Sequence, residues 1–332
     1  MKTLWRVKIT GLGRYLPRRV VTSEALQEQF GVESAFSVER SGVKQRYWAD
    51  PDSGETASWM GAQAAAEALG EARLAATDLD LILNASGTPE QVIPDGAPLI
   101  QRHLEIGDSG IPCLSVHSTC LSFLSAFEIA AERITAGRAQ RVLIVSTDIA
   151  SVGLDTEDRE TLSLFGDAAA AAIVEATPAG EPSVVHDFLF GTYGESAYLT
   201  QLPGGGTRRH PNQPLTTPRD NCFQMEGRQV LAAAVQHAPS FLADMNVLEI
   251  ADQIQWIIPH QTSRAGLRAL SWLGLDPSRI VETLTTQGNC VAASIPSTLY
   301  EAARNRGLQR GDLCLMCGTG AGLSLGGMLF RY

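Results

Sequence analysis

Short apolar segments alternate along the chain with longer segments in which apolar residues recur every three or four positions. The segments LILNAS (81–86), VLIVSTD (142–148) and WIIPHQ (256–261) each run from apolar residues into a polar turn. Short segments of this kind are typical of strands in a covered sheet, and the longer ones are typical of amphipathic helices. The pattern predicts an α/β protein with a largely buried sheet.

The order of these segments recurs after about 170 residues. Each strand or helix of the first part has a counterpart with a similar start and end, and the matched ranges are 78–90 with 252–264, 118–137 with 288–307, and 139–148 with 310–320. A single long-period duplication indicates two similar halves packed together, because a solenoid needs several short repeats. We therefore predict an N-terminal half at 1–175 and a C-terminal half at 176–332.

Polar side chains follow the matched strands at corresponding places. In α/β sheets ligands bind beyond the carboxyl ends of strands, so Cys120, His260 and Asn289 are expected to converge on one site. From position alone each has a plain alternative: Cys120 could pack as a small buried thiol, and His260 and Asn289 could simply belong to turns. His117 is a rival to His260 because it lies three residues before Cys120.

The segment after Cys120 predicts a helix that is covered on most sides. Its apolar residues Phe123, Phe127 and Ile134 form one stripe, and Gly137 is a plausible end. Ser118 and Thr119 are natural capping residues, which would place Cys120 in or next to the first turn. The free N–H groups and the positive end of the helix dipole there predict a lowered thiol pKa and a reactive sulfur.

Charge and composition exclude several other classes of protein. The formal net charge of −10 argues against a nucleic-acid surface, which needs clustered cations. The chain has no apolar run long enough to span a membrane and no signal peptide at its start, so we expect no membrane association and a cytoplasmic location. The only candidate linker, residues 203–221, falls inside the second half and is interpreted as a surface flap.

The six cysteines show no regular spacing, which favours buried thiols in a reducing compartment over a disulfide framework. Cys314 and Cys317 form a CxxC pair, but LCLMCG has the pattern of a strand and no second pair completes a zinc site. We therefore expect no metal.

Several motifs, in order, resemble the beta-ketoacyl-ACP synthase III family. They are STC at 118–120, LFGDAAAAAIV at 164–174, QMEGRQV at 224–230, IIPHQ at 257–261, GNCVAASIPSTLYEA at 288–302 and GTGAGLSLGG at 318–327. The resemblance extends from Val7 to Tyr332. It implies a thiolase-like fold, in which two duplicated βαβαβαββ halves form a five-layered α-β-α-β-α arrangement.

The family's catalytic cysteine, histidine and asparagine fall on Cys120, His260 and Asn289. The resemblance implies that Cys120 accepts an acyl group from a thioester, and that His260 and Asn289 stabilise the enolate formed when a malonyl thioester loses carbon dioxide. The backbone N–H groups of Cys120 and Ala321 would form a second oxyanion hole. Gly318, Gly320 and Gly322 would permit the close backbone approach.

The chain departs from the family where CoA is expected to bind. Phe36 stands where many relatives carry a tryptophan that stacks on adenine, whereas Arg40 and Arg159 match family arginines near the nucleotide. After His260 the family's Gln-Ala-Asn-x-Arg becomes residues 261–265, QTSRA, with Ser263 in place of the asparagine. An acyl carrier protein, which presents only phosphopantetheine, depends less on these contacts, so the donor is expected to be an acyl-CoA, an acyl carrier protein, or both.

Other departures concern the acyl group. Leu121 and Ser122 replace a typical Ala-Gly pair after the nucleophile, and Thr319 replaces a common phenylalanine. In the family a residue of the 88–94 loop reaches the partner subunit's acyl pocket in a homodimer, and Ile93 is the match. The substrate-binding set is therefore predicted to include Phe36, Arg40, Arg159, Leu121, Ile93, Ser263 and Thr319.

The predicted activity is a decarboxylative Claisen condensation between a Cys120-bound acyl group and a malonyl thioester, with thioesters as substrates and no cofactor. We favour a role in specialised, polyketide-type metabolism over initiation of fatty-acid synthesis. Two alternatives remain open: transfer of the acyl group to an oxygen or nitrogen acceptor without decarboxylation, and a non-catalytic partner subunit. A non-catalytic partner subunit usually lacks the nucleophile or the residues that assist it.

Overall fold

The computed structural model describes residues 4–332. The strands are β1 (Val7–Tyr15), β2 (Arg19–Thr22), β3 (Gln45–Trp48), β4 (Leu81–Asn84), β5 (Cys113–Ser115), β6 (Arg141–Asp148), β7 (Ala168–Ala176), β8 (Val184–Thr192), β9 (Thr200–Gln201), β10 (Gln224–Met225), β11 (Trp256–Pro259), β12 (Leu313–Gly320) and β13 (Ser324–Arg331).

The helices are α1 (Ser23–Phe30), α2 (Ser34–Phe36), α3 (Ala57–Ala72), α4 (Gly96–His103), α5 (Ser122–Thr135), α6 (Arg159–Leu164), α7 (Gly227–Asp244), α8 (Arg264–Trp272), α9 (Leu284–Gln287) and α10 (Ser294–Glu301).

Two mixed sheets form the centre of the molecule. The first has the strand order β1-β7-β6-β4-β5 and the second has the order β11-β12-β13-β8. β4 runs parallel to β5 and β6, and β11 runs parallel to β12. In the first sheet, β5 pairs with β4. At the corresponding place in the second sheet, an isolated bridge joins Ile257 to Ile280 in place of a paired strand. The second half of the predicted duplication is therefore one strand shorter in this sheet, because the segment after α8 makes a short 3-10 turn.

Strand β7 shows why the first sheet lies in the interior. Its residues 168–174, AAAAAIV, are all buried, and a strand buried on both faces needs no alternation of polar and apolar residues. Small side chains also allow close packing of helix on sheet. A Cβ on Gly13 would lie 1.9 Å from the Ala64 carbonyl oxygen of α3, and one on Gly11 would lie 2.0 Å from the Ala68 carbonyl oxygen.

Helices lie outside and between the two sheets. α3 and α4 cover the outer face of the first sheet, α5 and α10 pack between the sheets, and α7 and α8 lie over the outer face of the second sheet. This is the five-layered α-β-α-β-α arrangement predicted from the sequence, and that prediction is confirmed. Within residues 4–332 no helix is long and apolar enough to cross a membrane.

Candidate active site

A cavity of about 1000 Å³ opens next to Arg40 and Glu160 and reaches Cys120, His260 and Asn289. The three residues come from three different segments, namely the approach to α5, the end of β11 and the turn after α9. Both halves of the sequence therefore contribute to one site, as expected of side chains that follow matched strands.

Cys120 lies on a tight turn two residues before α5. Thr119 has a φ of +51°, and the N–H groups of Leu121 and Ser122 donate to the carbonyl oxygens of Ser118 and Thr119. Helix α5 begins at Ser122, and no side chain caps its first turn. The predicted capping by Ser118 and Thr119 is therefore wrong; instead, the Ser118 N–H donates to Ser122 Oγ.

The predicted lowering of the Cys120 pKa is also wrong. Burial and the nearby Asp148 carboxylate raise the pKa of Cys120 to about 12. Hydrogen bonds from the Ala321 and Cys120 N–H groups and from the Thr119 side chain lower it, but they do not compensate for burial. The reason is that burial removes the hydration that a thiolate needs, and the Asp148 carboxylate disfavours a second negative charge nearby. The resting site therefore holds a neutral thiol.

This pKa makes a prediction for alkylation. Because the thiolate is the reacting form, the rate of Cys120 alkylation by iodoacetamide should rise about tenfold per pH unit between about pH 7 and 9, without a plateau. The rate is to be measured by peptide mass spectrometry, with the half-buried Cys222 as an internal comparison. A plateau with a midpoint below about pH 8.5 would show instead that the turn stabilises a thiolate.

His260 is held by three contacts and is 4% exposed. Its backbone N–H donates to the Cys317 carbonyl oxygen at 2.8 Å, Nδ1 lies 2.9 Å from the Thr319 carbonyl oxygen, and Nε2 lies 3.2 Å from Asn289 Oδ1. Burial lowers the pKa of His260 to about 4, so the ring is neutral at pH 7. A neutral imidazole ring has one N–H, and the Thr319 carbonyl oxygen and Asn289 Oδ1 compete for it.

The amide of Asn289 is oriented by its own neighbours. Oδ1 accepts from the Val291 N–H at 2.9 Å, and Nδ2 donates to the Thr262 carbonyl oxygen at 3.2 Å. Because Nδ2 carries two hydrogens, a second N–H is available for a ligand oxygen. His260 and Asn289 can both donate to one ligand oxygen when the imidazole proton is on Nε2 and this N–H turns from Asn289 Oδ1 to the ligand.

The glycines of 318–322 bring β12 against these residues. A Cβ on Gly318 would lie 2.6 Å from His260 Cβ, and a Cβ on Gly320 would lie 2.6 Å from Thr119 Oγ1. Gly322 has a φ of +146°, a conformation that other residues rarely adopt. This close approach lets the Ala321 N–H reach the Cys120 sulfur, next to the N–H of Cys120 itself.

Asp148 is a site residue that the sequence reasoning missed. It is fully buried at the end of β6; Oδ1 accepts from the Gly87 and Thr88 N–H groups, and Oδ2 accepts from the Ala293 N–H. Burial raises its pKa to about 6. The carboxylate thus joins the loop at 87–88 to the turn before α10. Its position at the carboxyl end of a strand was the signal that could have identified it, since a similar position selected His260.

The structure places some of the predicted substrate-binding residues in the cavity lining and others outside it. Arg40, Ser263 and Thr319 line the cavity, and Arg40 Nη2 pairs with Glu160 Oε1 at 3.0 Å at the mouth. Ser263 Oγ caps α8 by accepting from the Gly266 N–H. Three glycines of the flap at 203–221, namely Gly204, Gly205 and Gly206, also line the cavity.

The other predicted substrate-binding residues lie outside the cavity lining. Phe36 packs against the cluster formed by Val21, Leu26, Val32, Trp48 and Leu162, because α2 turns it inward. Leu121 is buried beside Gly318 and Gly326 and is not among the residues that line the cavity. Arg159 is exposed at the start of α6, and Ile93 is 84% exposed.

His117, the rival histidine, lies in the wall of the cavity, but its Nε2 contacts the Gly87 carbonyl oxygen at 3.2 Å. Cys314 and Cys317 lie in β12 as predicted and are buried in two different clusters. Across residues 4–332 no group of three His, Cys, Asp or Glu side chains could hold a metal ion.

Two family models match the chain. The model described as 3-Oxoacyl-[acyl-carrier-protein (ACP)] synthase III matches residues 114–194, and the model of the C terminal of that synthase matches residues 249–332. The first match contains Cys120, and the second contains His260 and Asn289.

Full-length relatives share this similarity. The chain is 35% identical over 331 residues to the beta-ketoacyl-[acyl-carrier-protein] synthase III of Methylococcus capsulatus, covering 98% of both chains. It is 34% identical over 357 residues to the protein of the same name in Rhodopirellula baltica, covering 100% of both.

Solved structures agree with the fold. The 3-oxoacyl-[acyl-carrier-protein] synthase III of Aquifex aeolicus superposes with a TM-score of 0.86 at 31% identity, covering 98% of this chain and 100% of that chain. The priming beta-ketosynthase of the R1128 polyketide biosynthetic pathway gives a TM-score of 0.86 at 25% identity, covering 100% of this chain and 98% of that chain. The thiolase-like fold expected from the motifs is confirmed.

Proposed function

Because the chain belongs to the beta-ketoacyl-[acyl-carrier-protein] synthase III family of condensing enzymes, we propose that it loads an acyl group on Cys120 and condenses it with a malonyl thioester. The observation that carries this proposal is the arrangement around the sulfur. The backbone N–H groups of Cys120 and Ala321 act on the sulfur by lowering its pKa, and an imidazole and a carboxamide 3.2 Å apart line the same cavity.

In the loading step the Cys120 sulfur attacks the carbonyl carbon of an acyl thioester. The N–H groups of Cys120 and Ala321 donate to the oxyanion of the tetrahedral intermediate. A new carbon–sulfur bond forms, the bond to the carrier sulfur breaks, and the carrier leaves as a thiol with the proton that Cys120 gives up. Thiol and thioester thus exchange with little change in energy.

In the condensation step a malonyl thioester enters and loses its carboxylate as carbon dioxide. The electron pair of the broken carbon–carbon bond moves into an enolate, whose oxygen accepts from His260 Nε2–H and Asn289 Nδ2–H. The enolate carbon then attacks the acyl carbonyl, and the Cys120 sulfur leaves as a thiolate to give a 3-oxoacyl thioester. The thiolate takes up one proton from water, which restores the neutral thiol. Neutral donors suit this step, because burial holds the pKa of His260 at about 4 and the imidazole needs no charge.

The experiment that tests the proposal follows the protein by intact mass. Incubation with acyl-CoAs and acyl carriers should add one acyl group, and malonyl thioester should then remove that mass with release of one carbon dioxide per product. Product formed without carbon dioxide would favour acyl transfer to an oxygen or nitrogen acceptor. Absence of any acylation would contradict the proposal and favour the non-catalytic subunit.

The pathway and the partners are also proposals. The relatives named above support initiation of fatty-acid synthesis, and the R1128 ketosynthase keeps the polyketide-type role open. We propose an acyl carrier protein as the partner, because Phe36 lies outside the cavity and the adenine contact expected for CoA lacks its aromatic ring. A homodimer would cover Ile93 and Val92, which are 84% and 73% exposed. Thioesters serve as substrates with no cofactor, and the cytoplasmic location stays a prediction from the sequence.

A further inference from the structure

The cavity extends beyond the Cys120 region to an end that lies under α7 and α8. We call this end the distal chamber, and its walls are formed by Ala238, Phe241, Leu242, Leu273 and Leu325. Phe241, Leu242 and Leu325 are buried, at 7%, 3% and 3% exposure. All five side chains are hydrocarbon. A ligand there exchanges water for apolar contact and finds no hydrogen-bonding side chain among these five.

A path leads from the sulfur to the distal chamber along β12. Thr319 and Cys317 share one face of β12 because side chains alternate, Ala321 follows the end of the strand, and all three line the cavity. The Ala321 N–H points at the Cys120 sulfur, and Cys317 belongs to the same cluster as Phe241 and Leu325. Four residues of chain span at most about 13 Å when extended. The distance suits an extended chain.

Thr319 stands midway on this path. Its cross-strand partner is Leu325, so the two side chains are neighbours on the face that meets α7 and α8. A threonine side chain occupies far less space than an aromatic ring, and this keeps the passage between the sulfur and the distal chamber open.

The side of α7 that faces the cavity is long enough to contact an extended aliphatic chain, rather than only a compact group. On α7, Leu231, Ala234, Ala238 and Leu242 recur every three or four residues, Val230 adjoins the first of them, and all five line the cavity. From Val230 to Leu242 the helix rises about 18 Å. Such a stripe normally packs against its sheet, but here it lines a cavity whose volume of about 1000 Å³ is at the upper end for ligand sites.

We propose that the distal chamber binds the aliphatic chain of the acyl group carried by Cys120, so that the preferred substrates are acyl thioesters longer than butyryl. The inference rests on the proposed function, since it names the substrate class of the same site. Phosphopantetheine does not fit the chamber, because its amides would lose their hydrogen bonds to water without replacement. Each methylene buried there is worth up to about a fourfold gain in kcat/KM.

The test measures Cys120 acylation with acetyl, butyryl, octanoyl and dodecanoyl thioesters. In the wild type, kcat/KM should rise at least about tenfold from butyryl to octanoyl. Ala238→Phe, which fills the chamber, should lower the octanoyl-to-butyryl ratio at least about tenfold. Ala232→Phe is the matched control, because Ala232 lies on the exposed side of the same helix, and it should keep the wild-type ratio.

A second variant, Thr319→Phe, keeps the proposal testable if Ala238→Phe does not fold. Thr319→Phe should lower the same ratio by narrowing the passage, and both variants are checked by thermal unfolding. A wild-type ratio near one, or a ratio that neither variant changes, would overturn the distal-chamber proposal while acetyl loading on Cys120 leaves the proposed function intact. Failure of every thioester to load Cys120 would overturn both.

Discussion

Cys120→Ala is expected to abolish acyl-enzyme formation and to lower condensation at least about 10⁴-fold, because nucleophile and covalent intermediate disappear together. Of the six thiols, Cys120 alone lies beside the two N–H groups that can stabilise a tetrahedral oxyanion. The change removes one sulfur from a half-buried position, so the free energy of unfolding should change little. Intact mass after incubation with an acyl thioester measures the first effect, and product formation with malonyl thioester measures the second.

Cys113→Ala is the matched control for this variant. Cys113 is also half-buried, but it lies in β5 outside the cavity lining and packs against the cluster under α3 and α4. It should retain both acylation and condensation. A mass gain that persists in Cys120→Ala and disappears in another cysteine variant would assign the nucleophile to that other thiol.

His260→Ala and Asn289→Asp should each lower decarboxylation and condensation about 10²- to 10³-fold while acylation changes less than about tenfold. Each variant removes one of the proposed donors to the enolate oxygen and leaves the Cys120 and Ala321 N–H groups in place. Aspartate is preferred to alanine at Asn289 because a carboxylate oxygen can still accept from the Val291 N–H. Single-turnover acylation and carbon dioxide release separate the two steps.

Thr298→Val serves as the control for loss of a buried polar group. Thr298 is fully buried and its hydroxyl contacts the Thr283 hydroxyl at 3.1 Å, away from the cavity. It should leave both steps unchanged. If His260→Ala and Asn289→Asp reduce acylation and condensation equally, the two side chains act in loading and not on an enolate.

The sequence predicted the layers of the fold because the periods of its apolar residues are local. A segment such as AAAAAIV in β7 can only be stable between two covering layers, and the apolar stripe of α5 requires contacts on most sides. The duplication then placed Cys120, His260 and Asn289 after matched strands. Convergence of these residues could be inferred because strand ends in such sheets meet at one edge.

Other features depended on contacts between distant parts of the chain. The pKa of Cys120 is set by burial and by Asp148, which lies 28 residues further along the chain, so the helix dipole alone gave the wrong direction. Phe36 and Leu121 matched family positions in sequence, but each turns toward a hydrophobic cluster and away from the cavity.

The sequence by itself determined the layer order and the chemical types that meet at the strand ends, because apolar periodicity and residue identity are properties of each segment. Only the tertiary structure decided the protonation of Cys120 and His260 and the space between α7, α8 and the second sheet. Desolvation and cavity volume are the sums of contacts from segments far apart in the chain, and no single segment contains them.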